Sequence, residues 1–575
     1  MQELFYSVYS RINRYVEDRP WLIDTVVLLV FMAFATLFHI GRNITAPEIL
    51  DLGGDAANIA SFAAAWDHPE LFEGDMVLGD QKNFSFYATV HIPLIRLMQR
   101  VTGNYGYAYT ALAGIHVFLH LAGFYIFGRV LLKSRFWSFV LAWALLPEVP
   151  VGWYTFWGIW QDPLPRVTFS ALLGFLWAAA LYWRKRPFAW PWVMASAGLM
   201  MYVHPVSAPT IALAVWTGLW IYKPEQWSQG KRFGFMVLCG LCFLAVAMPF
   251  IINYLANREH VQVANVEQVR EIMEFRYATG FVADRALAMK NFLVVLCRKT
   301  PLIPLGVLGT ILLISMGNEN ERSTLHIFLL WGIGIAISSI GIFLLDHKVA
   351  QLTGRIPVQV DLIRGVRFFV PLLLILIIWS LMVIEDRIEG LFGSRLALVA
   401  LMVLTFFLIR DANPCITIPK TGAKKILFGI KTTEGDSAYE YNPQSKKAIM
   451  AIRRLTPPKA RIFAYDNNEL ELAVRYGALR PVVYSWRDSG VLSYANHTAL
   501  LKWHETQKVY QEIEQNEDPV TRSNILLRLA ETLDAEYMLI NLDEISSEYL
   551  SDAGKEIWAN EHYSLIHLSE GQKAR

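Results

Sequence analysis

A chain of 575 residues that is 54% hydrophobic and 13% aromatic, with a mean hydropathy of +0.33, lies outside the usual range of soluble globular proteins. A formal charge of +2 leaves no basic surplus for binding nucleic acid, so none is expected as a partner. Nineteen tryptophans and twenty-four tyrosines fit wide interfacial belts at the two faces of a bilayer.

Apolar runs of about 17–25 residues have the length that crosses hydrocarbon. In chain order they fall at 21–40, 106–132, 136–157, 166–184, 188–204, 205–222, 232–254, 301–317, 325–345, 367–385 and 394–410. They predict an α-helical polytopic membrane bundle of about eleven transmembrane helices. The fifth and sixth runs stand so close that one broken re-entrant element is the alternative, and Pro205 suits a helix start. The first run, Trp21–Ile40, has no small-residue cleavage site and is expected to remain as a span.

Basic residues set the orientation. Arg11, Arg14 and Arg19 precede the first span, Arg129, Lys133 and Arg135 follow the second, Arg184, Lys185 and Arg186 the fourth, and Lys223, Lys231 and Arg232 the sixth. These loops alternate onto one side, predicted cytoplasmic. The long loop 41–105 carries more acids than bases and belongs outside. An odd span count then puts the N-terminus inside and the C-terminus outside an inner (plasma) membrane. The segment from Arg258 to Lys290 is amphipathic through Val263, Val266, Val269, Ile272, Met273 and Phe275, and is expected to lie flat on the outer surface.

From residue 411 the apolar runs stop. Lys446–Leu455 reads as a helix, residues 460–465, 481–484 and 537–540 as strands, and Ser523–Leu533 as a further helix. A transmembrane domain over 1–410 is therefore followed by a small extracytoplasmic α/β domain over 411–575. The C-x-x-C spacing of Cys239 and Cys242 inside one span is coincidental; a disulfide between Cys297 and Cys415 stays open. Asn43-Ile44-Thr45 matches a glycosylation sequon at the membrane edge.

Four polar segments are predicted on the outer face, and ionisable residues at bundle margins mark substrate sites. The first is Asp51-Leu52-Gly53-Gly54-Asp55-Ala56, where Asp55 is placed to take a proton from an acceptor hydroxyl, or else to cap the helix that follows. The second runs from Gln161 to Arg166, with Asp162 and Arg166 four residues apart as phosphate ligand or ion pair. The third holds His204, beside Pro205. The fourth is Asp361 to Arg367, where Arg364 and Arg367 share a helix face and have the planar, permanent charge that suits a phosphate. Metal use is left unknown: Asp75 and Asp80 could hold a divalent cation through oxygen, or form a solvated loop. Walker, H-E-x-x-H, G-x-S-x-G and dinucleotide-binding motifs are absent from the sequence.

Gly54-Asp55, the segment from His68 to Asp75, the His204-Pro205 boundary and the run from Glu471 to Asp488 resemble bacterial members of the GT-C superfamily, polytopic glycosyltransferases that use polyprenyl-phosphate-linked sugars. The resemblance implies that Asp55 is the catalytic aspartate and that Arg364 and Arg367 meet the lipid phosphate. It also implies a glycan, lipid or protein acceptor outside the cytoplasm. Asp55 is followed by Ala56, so no D-x-D or D-E pair stands there. Two other functions fit the same features: a polysaccharide polymerase or ligase in which the arginines dominate, and a non-enzymatic component that binds or translocates lipid-linked glycan. In the tail, Tyr484, Trp486, Arg487, Trp503 and His504 offer either a sugar-binding surface or core filling.

Overall fold

A computed structural model describes residues 20–43, 52–87, 89–151, 154–222, 224, 227–257, 266–276, 301–357, 362–387, 413–428, 443–466, 470–550 and 554–568. The predicted span 394–410, Cys297, Asp361 and Val263 lie outside these residues.

In the first half, α1 (Pro20–Asn43), α2 (Gly54–Asp67), α3 (His91–Thr102), α4 (Tyr105–Leu131), α5 (Arg135–Ala144) and the short hairpin β1 (Val149–Val151) with β2 (Tyr154–Trp157) come first. They are followed by α6 (Pro165–Tyr182), α7 (Trp190–Leu199), α8 (Ala208–Leu219), α9 (Gln229–Asn257) and α10 (Val266–Arg276). Next come α11 (Leu302–Met316), α12 (Glu319–Thr353, with a π-helical stretch at Ile337–Ile342), α13 (Leu362–Arg387) and α14 (Pro414–Phe428). Among the described residues, six helices are long and apolar enough to cross a membrane: α1, α4, α6, α9, α12 and α13.

The apolar run 136–157 is not a spanning helix. It folds as α5, ten residues or about 15 Å, and then turns into the β1–β2 hairpin. Pro147 and Pro150 bracket Glu148, and proline blocks helix continuation on both counts of donor loss and ring clash. The runs 188–204 and 205–222 likewise form two short helices, α7 and α8, separated by a 3₁₀ turn at Met200–Tyr202.

Close helix packing rests on small residues. A Cβ on Gly174 of α6 would lie 2.5 Å from the Gly123 carbonyl carbon of α4. In the same way, a Cβ on Gly422 of α14 would stand 2.1 Å from the Leu37 carbonyl oxygen of α1, and one on Gly41 would stand 1.9 Å from that of Ile418. So α14 packs on the first helix, although it falls past residue 411. Its Cys415 is a free, buried thiol that donates to the Leu146 and Ile159 carbonyls at 3.4 and 3.5 Å.

The sheet-bearing unit begins with α15 (Pro443–Leu455) and β3 (Ile462–Tyr465). A helical layer follows: α16 (Leu470–Ala473) with a π turn to Ala478, α17 (Asp488–Ala495), α18 (His497–Gln515) and α19 (Pro519–Thr532). The chain ends in β4 (Tyr537–Asn541), β5 (Gly554–Ala559) and β6 (Tyr563–Leu568), in the sheet order β3-β4-β6-β5. The pair β3–β4 is parallel, joined by the helical layer, and the other two pairs are antiparallel. Residues 462–465 and 537–541 are buried throughout, as strands covered on both faces must be. Burying side chains such as Leu539, Ile540 and Leu565 stabilises the fold by about 1.5–3 kcal/mol each. The expected strand at 481–484 reduces to one parallel bridge, Ile462 with Val482, at the open edge of β3.

Of the amphipathic segment Arg258–Lys290 only 266–276 is among the described residues, and this part does not lie free on a surface: α10 packs against α17 and α18. Val269, Ile272 and Met273 are buried, Phe275 meets Trp486 edge-on at 5.8 Å, and Arg276 Nε donates to Ser489 Oγ at 2.8 Å. The apolar stripe that suggested a membrane face is satisfied by the C-terminal unit.

Candidate functional site

Helix α2 begins where the backbone can turn left-handed. Gly54 has φ +52°, and the N-cap, Gly53, supplies no side-chain bond. Asp55 is therefore not a cap. It sits exposed in the first turn, where the positive end of the helix dipole favours a carboxylate by about 0.3–1 kcal/mol. The alanine-rich helix behind it, Ala56 to Ala65, is buried on all sides. Small side chains permit that enclosure and hold the first turn at the rim. The C-terminal unit closes over this turn: Leu52 N–H donates to the Tyr476 hydroxyl at 3.0 Å, and Arg487's guanidinium lies 3.4 Å from where a Gly54 Cβ would be.

Arg166 stands in the first turn of α6, after Pro165, with its guanidinium 4.1 Å over the Trp160 ring. Its Nε is buried without a hydrogen-bond partner. The charges acting on it are those of Asp55 and Arg364, and the Tyr87 and Tyr109 hydroxyls lie in the same field. Tyr109's hydroxyl is also buried without a partner, in the electrostatic field of Asp162, Asp55 and Arg166. Buried donors left unpaired are rare and mark a place where a ligand or water supplies the acceptor.

The 3₁₀ turn at Leu362–Phe368 that opens α13 brings up Arg364 and Arg367, both half-buried. Arg367 Nη2 donates to Ser207 Oγ, and that oxygen lies 2.7 Å from His204 Nδ1. His204 is in the loop before α8. Burial, and then Arg367, Arg166 and Arg364 in that order, hold its imidazole well below the usual range, so it stands neutral. Five of the six sequence-predicted residues (Asp55, Arg166, His204, Arg364 and Arg367) thus share one electrostatic neighbourhood, although they come from four separate stretches of chain.

Asp162 borders the same neighbourhood through its effect on Tyr109 but is engaged elsewhere. Its Oδ1 accepts from Arg42 Nε at 3.0 Å and Nη2 at 2.8 Å, so it ties the end of α1 to the loop before α6. Arg42, rather than Arg166, is its ion-pair partner, and the pair is buried. A carboxylate so engaged serves the scaffold of the site more than a ligand.

The two aspartates considered for a metal are also engaged elsewhere. Asp75 Oδ1 accepts from Val77 and Leu78 N–H, and Oδ2 from Val482 N–H. Both oxygens also accept from Arg475, at 2.8 and 2.9 Å. Asp80 caps a 3₁₀ turn by accepting from Lys82 N–H. Among the described residues, no group of three His, Cys, Asp or Glu side chains converges on a metal position.

One residue of the site escaped sequence reasoning. Glu148, half-buried between α5 and β1, has its carboxyl pushed up to about 7 by burial, an effect moderated by Arg166. A carboxyl that exchanges its proton near neutrality is suited to general acid–base work. The signal was present in Pro147-Glu148-Val149-Pro150, a proline-bracketed acid that no spanning helix would contain.

No family model matches the chain, and no curated protein matches it.

Proposed function

We propose that the protein is an integral-membrane glycosyltransferase of the GT-C type, moving a sugar from a polyprenyl-phosphate-linked donor to an extracytoplasmic acceptor. The observation that carries this reading is the meeting of an exposed carboxylate, Asp55, with the buried-edge cations Arg166 and Arg364 in one field. In this reading the arginines bind the donor phosphate and neutralise the charge that develops on it as the bond to the sugar breaks. The acceptor oxygen forms the new bond to the anomeric carbon, the old C–O bond breaks, and polyprenyl phosphate leaves with the electron pair. Asp55 takes the acceptor's proton, and Glu148 exchanges protons near neutral pH. Arg367, through Ser207, fixes the His204 ring beside this charge.

The proposed orientation has the N-terminus in the cytoplasm and the C-terminal unit outside. Support comes from the contact of Asp75 in the first loop with Arg475 in the tail, because segments that touch must lie on one side of the membrane. An even number of crossings between them follows. With one crossing before Asp75, the reading requires an odd total of crossings.

The test is release of free polyprenyl phosphate from labelled lipid-linked sugars by purified wild type and Asp55→Asn. The reading expects release by wild type and a loss of at least about 100-fold in the variant with lipid binding retained. Equal release by both would remove Asp55 from the chemistry. Lipid binding without release by either, across a broad donor panel, would replace the transferase with a binding or translocation role.

A further inference from the structure

The C-terminal unit contains a cavity of about 320 Å³, within the range of small-molecule sites, that takes no part in the arginine cluster. Its floor is buried and polar. Glu471 accepts from Ser485 Oγ at 2.8 Å, Asp466 accepts from Asn541 Nδ2 at 3.1 Å, and the Tyr484 hydroxyl donates to Gln507 Oε1. Two tyrosine rings stack as one wall, Tyr484 on Tyr510 at 5.3 Å and 30°, and half-buried Trp486 stands beside them. At the rim Glu514, at the end of α18, is exposed to solvent.

Among the described lining residues the charge of this cavity is one-sided: three are carboxylates and none is a lysine, arginine or histidine. Arg522 acts on Glu514 from outside the lining and donates to the Tyr465 hydroxyl at 3.0 Å. Burial, and then the carboxylates of Asp488, Glu471 and Glu514, hold the Tyr484 hydroxyl protonated far above its ordinary range, as expected in a negative field. The carboxylates do not gather round one point as metal ligands would. They are spread over floor and rim, next to aromatic faces that attract a cation and stack on an apolar ring face.

We propose that this cavity binds a small polyhydroxylated amine, an amino sugar with a free ammonium group. The ammonium sits between Glu471 and Glu514 against the Tyr484–Tyr510 wall, and the hydroxyls exchange hydrogen bonds with the Gln507 side and Asp466. The binding does not depend on whether the bundle transfers a sugar. Its test uses no lipid donor, so either claim can fail alone.

The experiment is calorimetry and saturation-transfer NMR on the detergent-solubilised full chain with D-glucosamine, N-acetyl-D-glucosamine and D-glucose. Glucosamine is expected to bind at least about tenfold more tightly than the two neutral sugars, the ratio that one charge-assisted contact supplies. Glu514→Gln, at the exposed rim, should weaken glucosamine about fivefold or more, and Glu471→Gln should do the same where it folds. The proposal is overturned by equal binding of charged and neutral sugars, by an unchanged affinity in Glu514→Gln, or by no glucosamine binding to the folded wild type.

Discussion

Arg475 holds Asp75 through two parallel bonds, Nε to Oδ2 at 2.8 Å and Nη2 to Oδ1 at 2.9 Å, and turns its other edge to Asp488 at 2.6 and 2.9 Å. All three side chains are essentially inaccessible to solvent. This seam joins the C-terminal unit to the loop that carries Asp55.

Removing the shared cation leaves two buried carboxylates uncompensated, which costs about 3–5 kcal/mol. Arg475→Ala should therefore lower the unfolding midpoint sharply and open the junction between loop and tail to protease. Thermal unfolding in detergent, with limited proteolysis alongside, measures both. A loss below about 1 kcal/mol would mean that the seam is held by its apolar contacts instead.

Glu148 binds its proton more tightly folded than unfolded, because burial raises its carboxyl from 4.5 to about 7. The stability this preference contributes is full below the unfolded value, about 4.5, and is lost as pH rises through about 7. Glu148→Gln cannot titrate. The midpoint of the variant should therefore gain on the wild type between about pH 5 and pH 8. Parallel curves across that window would show that Glu148 is solvated in the folded protein.

Gly422 lets α14 lie on α1, and a side chain there meets the Leu37 carbonyl. Gly422→Leu should cost about 1–3 kcal/mol through overpacking and lift α14 from its seat. Cys415 on the same helix reports the movement, since its thiol is buried against Leu146 and Ile159. Its alkylation rate, in a background lacking the other three cysteines, should rise at least tenfold, or about 1.4 kcal/mol of opening. An unchanged rate would show that the helix pair accommodates the side chain.

Arg166→Lys keeps the charge but loses the planar stack on Trp160 and the forked geometry. Polyprenyl phosphate should bind this variant about tenfold more weakly, with a smaller change at Arg166→Lys than at Arg166→Ala. Fluorescence titration with the lipid phosphate measures it. Wild-type affinity in Arg166→Ala would move the anion to Arg364 and Arg367.

The long helices were legible because a run such as the one in α9 or α13 has no plausible fold other than an apolar rod. The residues of the arginine cluster were legible too, since each stood at the polar edge of an apolar run. The partner of Asp162 was not. Arg42 is 120 positions away, and Arg166, four positions away, was the local choice. Asp75 misled for the same reason, its cation being supplied from the far end of the chain. The strands β5 and β6 gave little signal because β5 is an edge strand with Lys555 and Glu556 exposed, which breaks the alternation a reader looks for. Glu148 was hidden by reading composition over 136–157 without its prolines.

Asp75 and Arg475 are separated by 400 residues of chain. At about 5–20 residues per second, the loop that bears Asp55 is made roughly 20–80 seconds before the guanidinium that fastens it. During that interval Asp75 has no Arg475, Leu52 has no Tyr476 to bond, and nothing rests on Gly54. The rim around Asp55 is therefore completed only after the apolar helices of the bundle have been made, and a nascent chain carries its carboxylate long before it carries the finished site.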